Sequence, residues 1–190
     1  MTELFVEHRP RLKRMVELRM DRRLQGRVDA SDILQEAFVD LAEQLGSYSR
    51  DPKLPFFLWL RRITGQRLSK VHRAHLKTQK RNASLEVSIH QGGMPEASSF
   101  FLASKLVGQF TSAGNRAVRA EVQLKLQEVL NDMDEGDREI LALRHIEQLT
   151  NTEIASLLDI TKSAATHRYY RALRRLRSTL EKIPGMFEES

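Results

Sequence analysis

The 190-residue chain contains no cysteine, which excludes disulfides and thiolate-held zinc or iron–sulfur sites. Its longest apolar runs, such as Phe56-Phe57-Leu58-Trp59-Leu60, fall far short of the ~20 residues a membrane-spanning helix needs. The first residues, through Arg14, place charges where a signal peptide needs an apolar stretch. A cytoplasmic protein with no membrane partner is therefore expected. Acidic residues are missing over two long stretches, from Pro52 to Leu85 and from Ile160 to Leu180. Basic residues are missing between Val28 and Ser49. Such gaps are not those of an evenly charged, merely soluble surface.

The gaps frame what is present. Lys and Arg number 31 against 25 Asp and Glu, a net charge of +6, and 41% of residues are hydrophobic. That balance suits a folded soluble protein, basic enough to suggest a polyanionic partner. The first acid-free stretch holds Lys53, Arg61, Arg62, Arg67, Lys70, Arg73, Lys77, Lys80 and Arg81; the second holds Lys162, Arg168, Arg171, Arg174, Arg175 and Arg177. Between Val28 and Ser49 lie Asp29, Asp32, Glu36, Asp40 and Glu43. The chain thus carries two positive segments and, beside the first, a negative one.

Apolar spacing predicts helices throughout and no strand. Leu4, Leu12, Met15, Val16, Leu18 and Met20 mark a first helix reaching about Gly26, with Pro10 as a first turn or a break. Asp29 is the expected N-cap of a second, with Asp32 as a capping-box-like partner. That helix buries Ile33, Leu34, Ala37, Phe38, Leu41 and Leu45, and Gly46 is expected to close it before a loop over 47–55. Phe56 opens a third helix with Phe56, Trp59, Leu60, Ile63, Leu68 and Val71 inside. Residues 77–120 form a connector rich in Gly and Ser, within which Leu102, Ala103, Leu106, Val107 and Phe110 make one apolar helical face. Further helices bury Leu124, Leu126, Val129, Leu130 and Met133, then Ile140, Leu141, Leu143 and Ile146.

The sharpest local signal is Thr150–Leu176. Thr150 and Glu153 have capping-box spacing, the short helix 154–158 follows, and Asp159-Ile160-Thr161 turns into a long basic helix capped by Thr161. Helix, tight turn and longer helix have the spacing of a helix-turn-helix. Ala165, Tyr169, Ala172 and Leu176 should face inward, leaving Lys162, Ser163, Thr166, His167, Arg168 and Arg171 outward where such a helix meets a major groove. The plain alternative is a solvated basic face. In the segment Arg61–Arg81, basic side chains suit phosphates while Gln66, His72 and His75 suit exposed bases. His72 and His75 have the spacing of a metal pair but no neighbouring acidic or thiolate ligand. On the acidic helix, Asp32, Glu36 and Asp40 suit either a divalent cation, as in a nuclease, or a flat negative patch for a basic protein. A cation site needs ligands converging from several elements, and no second acidic cluster supplies them.

Three blocks then resemble one family in its own order. Asp29-Ala30-Ser31-Asp32-Ile33-Leu34-Gln35-Glu36-Ala37-Phe38 resembles the core-polymerase-binding helix of bacterial sigma factors. Phe57-Leu58-Trp59-Leu60-Arg61-Arg62-Ile63 with its basic tail resembles their −10-recognition helix. Asp137–Arg144, Glu153-Ile154-Ala155 and the final basic helix resemble their −35-binding domain, with Asp159 where the family usually has Gly. Together they cover roughly residues 4–81 and 120–182 and are similar to the extracytoplasmic-function (ECF) sigma factors. The resemblance implies an all-α chain of two small helical domains: residues 1–81, a linker over 82–119, and a helix-turn-helix domain over 120–190. It implies a non-enzymatic transcription initiation factor without metal or cofactor, partnered by core RNA polymerase and promoter DNA, with an anti-sigma factor as an optional third partner. Asp29, Asp32, Gln35 and Glu36 would meet the polymerase. Arg62, Gln66, Arg67, Lys70, Arg73 and His75 would contact the opened −10 strand and a flipped base. Lys162, Ser163, Thr166, His167, Arg168 and Arg171 would read the −35 duplex, with Arg171 holding its backbone. Two rivals make different demands. A stand-alone helix-turn-helix regulator would dimerise on palindromes without polymerase, and a metal-dependent nuclease would use Asp32 and Glu36.

Overall fold

The computed structural model of the chain describes residues 2–24, 26–76, 97–110 and 116–181, and every regular element among them is an α-helix. The chain divides into two compact units, Met1–Glu96 and Ala97–Ser190.

In the first unit, α1 spans Thr2–Arg19, α2 Ala30–Arg50 and α3 Phe56–Leu76. α1 is shorter than its apolar spacing suggests. Asp21 accepts from the backbone and side chain of Arg23, and Leu24 N–H donates to the Asp21 carbonyl. These bonds turn the chain before Gly26, whose φ of 84° continues the turn. Pro10 neither starts nor breaks α1. One lost amide bond on an exposed flank is tolerated because Leu12, Met15 and Val16, all fully buried, anchor the next turn. Leu4 is exposed and Phe5 takes the inward place, ring edge against Phe38 at 5.0 Å.

Asp29 caps α2 as its position predicts, accepting from Ser31 N–H at 2.6 Å. That bond holds its carboxyl below the ordinary carboxylate range. Gly46, however, does not end the helix, which continues to Arg50. A glycine inside a helix costs only ~1 kcal/mol, and the extra turn has its own attachments. Tyr48 stacks on Trp59 at 4.3 Å and its hydroxyl donates to the Leu54 carbonyl at 2.9 Å. α3 is more enclosed than a one-faced helix. Phe57, Leu58, Trp59, Leu60 and Arg61 are all buried in succession, while Phe56 and Val71 are only half-buried. A helix buried all round is packed by neighbours on several sides, here by both α1 and α2.

The second unit opens with α4, Ser99–Phe110, followed by α5 (Arg116–Asp132), α6 (Glu135–His145), α7 (Asn151–Leu158) and α8 (Lys162–Leu180). Composition alone puts residues 97–110 in the linker, yet α4 packs on α5, with Leu102, Ala103, Leu106 and Val107 buried. Twelve residues are too few for a stable helix in water; burial of that face supplies what length does not. The compact unit consequently starts at Ala97, within the expected linker, and not at 120. On α5, Leu126 and Leu130 are buried as expected, while Leu124 is exposed. Ile140, Leu141, Ala142 and Leu143 are fully buried on α6.

α7 and α8 follow the sequence closely. Thr150 and Glu153 complete a capping box, with Thr150 N–H donating to Glu153 Oε2 at 2.7 Å and Glu153 N–H to Thr150 Oγ1 at 3.2 Å. Asp159 adopts the left-handed conformation (φ 52°, ψ 48°) that short polar residues tolerate. Thr161 Oγ1 accepts from Ala164 N–H at 3.1 Å to begin α8. Ala165, Ala172 and Leu176 are buried, and Tyr169 bonds His145 Nε2 at 3.2 Å.

Candidate nucleic-acid interface

The outward side of α8 forms a groove of about 610 Å³, lined by residues between Ile160 and Arg174 that include His167, Arg168, Tyr170 and Arg171. Lys162, Ser163 and His167 are exposed in its first turns. Thr166 differs. Its hydroxyl accepts from Asn151 Nδ2 at 2.9 Å and donates to the Lys162 carbonyl at 2.9 Å, so it pins α8 to the start of α7. Arg171 is also committed, to Asp137 Oδ1 at 3.3 Å, and Arg175 bonds Asp137 Oδ2 at 2.6 Å. The Asp137 side chain is fully buried although both arginine side chains are more than half exposed. Arg168 lies against Gly136, where an added Cβ would stand 3.0 Å from Arg168 Nη2. Of the six expected DNA-facing residues, Lys162, Ser163 and His167 are exposed, Thr166 and Arg171 are bonded to neighbouring elements, and Arg168 lies beside Gly136.

On α3, Arg62, Gln66 and Lys70 are exposed at four-residue spacing and Arg73 continues that stripe half-buried. His75 is exposed too. Arg67 points elsewhere. Its Nε donates to Asp40 Oδ2 at 2.8 Å, a second bond joins Nη2 to Asp40 Oδ1, and Nη1 reaches Glu36 Oε2 at 3.3 Å. These bonds hold the guanidinium even further into its charged form. Arg67 is thus a strut between α2 and α3 and not a free cation. His72 turns inward and is 2% exposed, its Nε2 accepting from Asp21 N–H at 3.3 Å. Burial lowers its pKa, and with His75 at the surface the two imidazoles share no metal position. Lys77, Lys80 and Arg81 lie outside the described residues.

Beside Arg62 is a pocket of about 230 Å³ whose walls include Tyr48, Trp59, Leu54 and Asp51. The late turn of α2 builds it by delivering Tyr48 onto Trp59. The expectation that α2 ends at Gly46 hides this pocket, although the spacing of Tyr48 from Leu45 offers a helical continuation. On the opposite stretch of α2, Asp32, Gln35 and Glu36 are exposed, and so is Val39, an apolar side chain among acids. Asp40, which shares their spacing, is occupied by Arg67. Asp29 is exposed at the helix start. Among the described residues, no three His, Asp or Glu side chains converge as metal ligands, and no helix is long and apolar enough to cross a membrane.

Comparison with known proteins matches residues 123–176 to the family described as sigma-70, region 4. The chain is also similar to an RNA polymerase sigma-H factor of Pseudomonas aeruginosa, 24% identical over 156 residues that cover 82% of this chain and 75% of that protein. The matched residues 123–176 take in most of α5, all of α6 and α7, and most of α8, the elements that build the cationic groove.

Proposed function

We propose that this chain, whose residues 123–176 match sigma-70 region 4 and which is similar to an RNA polymerase sigma-H factor, is an ECF-like sigma factor that binds core RNA polymerase and directs promoter-specific initiation through −10 and −35 elements. The observation that carries the proposal is charge segregation kept by the fold. Acids gather on the open face of α2, and bases gather on α3 and α8, each on its own stripe. Asp29, Asp32, Gln35 and Glu36 would face the polymerase, with Val39 among them as an apolar contact.

α3 would hold the opened −10 strand through Arg62, Gln66, Lys70, Arg73 and His75. Arg67 would serve by fixing α3 on α2. A base extruded from the strand loses a few kcal/mol of stacking, and aromatic surface returns ~1–3 kcal/mol per base. The pocket beside Arg62 offers the half-buried Tyr48 to that exchange, with the buried Trp59 stacked behind it. α8 would enter the −35 major groove with Lys162, Ser163 and His167 leading. Arg168 and Arg171 would lie nearer the phosphates, and Thr166 would keep the helix in place on α7. The proposed role is that of a cytoplasmic, non-enzymatic regulator of transcription.

Run-off transcription with sigma-free core polymerase on a promoter library tests the whole reading. Transcripts that depend on added chain and share −10 and −35 sequences are expected. Core polymerase that ignores the chain, with the chain alone retaining palindromic duplexes as a dimer, would replace it with the stand-alone regulator.

A further inference from the structure

The cationic helix α8 is held from behind by an anion. Asp137 sits on the first turn of α6, fully buried, and each of its carboxylate oxygens accepts from a different arginine of α8. Its backbone is fixed in turn, because Asp134 Oδ1 accepts from both Gly136 N–H at 3.0 Å and Asp137 N–H at 3.3 Å. One residue before Asp137, Gly136 leaves the space that the Arg168 guanidinium occupies. Arg168, Arg171 and Arg175 are spaced by three and four, so all three project toward this one turn.

For binding a polyanion this placement is paradoxical. A carboxylate under a DNA-facing helix weakens phosphate attraction, so affinity does not explain it. Arginine side chains otherwise sample many rotamers, and a guanidinium aimed at one base or one phosphate must be fixed. We propose that the first turn of α6, through Asp137 and Gly136, sets the posture of Arg168, Arg171 and Arg175 on the phosphates, and thereby the register in which Lys162, Ser163 and His167 meet base edges and the sequence selectivity of α8, although neither residue touches DNA. This rests on the reading of α8 as the −35 helix. Asp137 and Gly136 are positioning residues in that scheme.

Two predictions of opposite sign separate posture from charge. Asp137→Asn raises the net charge by one, so simple phosphate attraction makes every duplex bind tighter. Misplaced arginines instead bind the wrong sequences nearly as well as the right one. Gly136→Ala keeps all charges. Its new methyl meets the tip of a long flexible side chain and a cap oxygen at 3.2 Å, and alanine is the better helix former. Stability should hold while Arg168 shifts.

The experiment uses the full-length chain. Duplexes with a randomised segment are selected on wild type, and the enriched duplex and a scrambled one are titrated by fluorescence anisotropy over a salt series. Wild type should prefer the enriched duplex. Asp137→Asn and Gly136→Ala should each narrow that preference by about ten-fold, the scale of one base contact. The scrambled duplex should bind at least as well as before, and Gly136→Ala should melt no lower than wild type. Unchanged preference in both variants overturns the proposal while leaving α8 as the reading helix. Equal weakening on both duplexes also overturns it, by showing a role in folding alone. Should Asp137→Asn fail to fold, Gly136→Ala decides. If wild type enriches no sequence, the −35 reading itself falls and the proposal with it.

Discussion

Both units tie a basic helix to a carboxylate of a neighbouring helix by ion pairs, but they bury the acid differently. In the first unit Arg67 spans Asp40 and Glu36, and all three side chains retain contact with water, at 23%, 16% and 56% exposure. In the second unit one fully buried carboxylate serves two arginines that are each 57% exposed. The contact of the exposed Glu36 contributes ~0–1 kcal/mol because water competes for that carboxylate. A buried acceptor of two charge-assisted bonds has no such substitute when a partner is lost. The first arrangement therefore leaves Glu36 at little cost to another partner. The second fixes its arginines. The two pairings differ in where the anion lies, at the surface for Glu36 and inside for Asp137.

The largest expected effect tests the handover. Asp32→Lys with Glu36→Lys should abolish capture of core polymerase, since like charges across an interface cost several kcal/mol. The fold should lose at most ~1 kcal/mol, from the exposed contact with Arg67. Pull-down together with a thermal melt reads both. Capture by a folded double mutant would remove α2 from the interface.

Next in size is Asp137→Ala, which should lower the unfolding free energy of the second unit by about 2–3 kcal/mol, the scale of hydrogen bonds to charged groups. Glu36→Ala should cost the first unit less, at most about 1 kcal/mol, because that carboxylate is the exposed partner of Arg67. Urea titrations of the two variants compare these directly, and equal losses would erase the contrast between the units.

A third effect concerns pH. Burial depresses the pKa of His72, and burial with the nearby Arg144 depresses that of His145. A histidine held neutral by the fold binds its proton more readily when unfolded. Stability is thus complete above the unfolded pKa of ~6.5 and is lost as pH falls through the folded value. The slope is at most ~1.4 kcal/mol per pH unit for each group. His72→Gln retains an acceptor for Asp21 N–H and should flatten the loss between pH 7 and 5 in the first unit. An unaltered slope would assign that loss to other groups.

The smallest effect is a gain. Gly46 lies inside α2 with nothing within 4 Å of an added Cβ. Gly46→Ala should therefore stabilise the first unit by ~0.5–1 kcal/mol. A lower melting temperature would mean that the last turn of α2 needs glycine after all.

The elements most legible in the chain were those set by local rules. The Asp29 cap, the Thr150–Glu153 box, the Asp159 turn and the inward Ala165, Ala172 and Leu176 depend on neighbours within a few residues. Helical period and cap chemistry are enough to place them. Leu4 and Leu124 were misplaced because period assigns an apolar residue to a face, whereas exposure depends on what lies opposite.

What the sequence determined by itself is the all-helical fold, the two basic stripes, the acidic one and the helix-turn-helix. Each follows from spacing along one helix or from charges kept together in the chain. Only the tertiary structure decided that α4 belongs to the second unit and that Tyr48 closes a pocket on Trp59. It also decided that Arg67, Thr166 and Arg171 are held by other elements. Those outcomes join residues up to 34 positions apart. The reason is physical: a charged or polar side chain reads the same in sequence whether its partner is water, a ligand or another helix. Packing alone brings the competing partner within bonding distance.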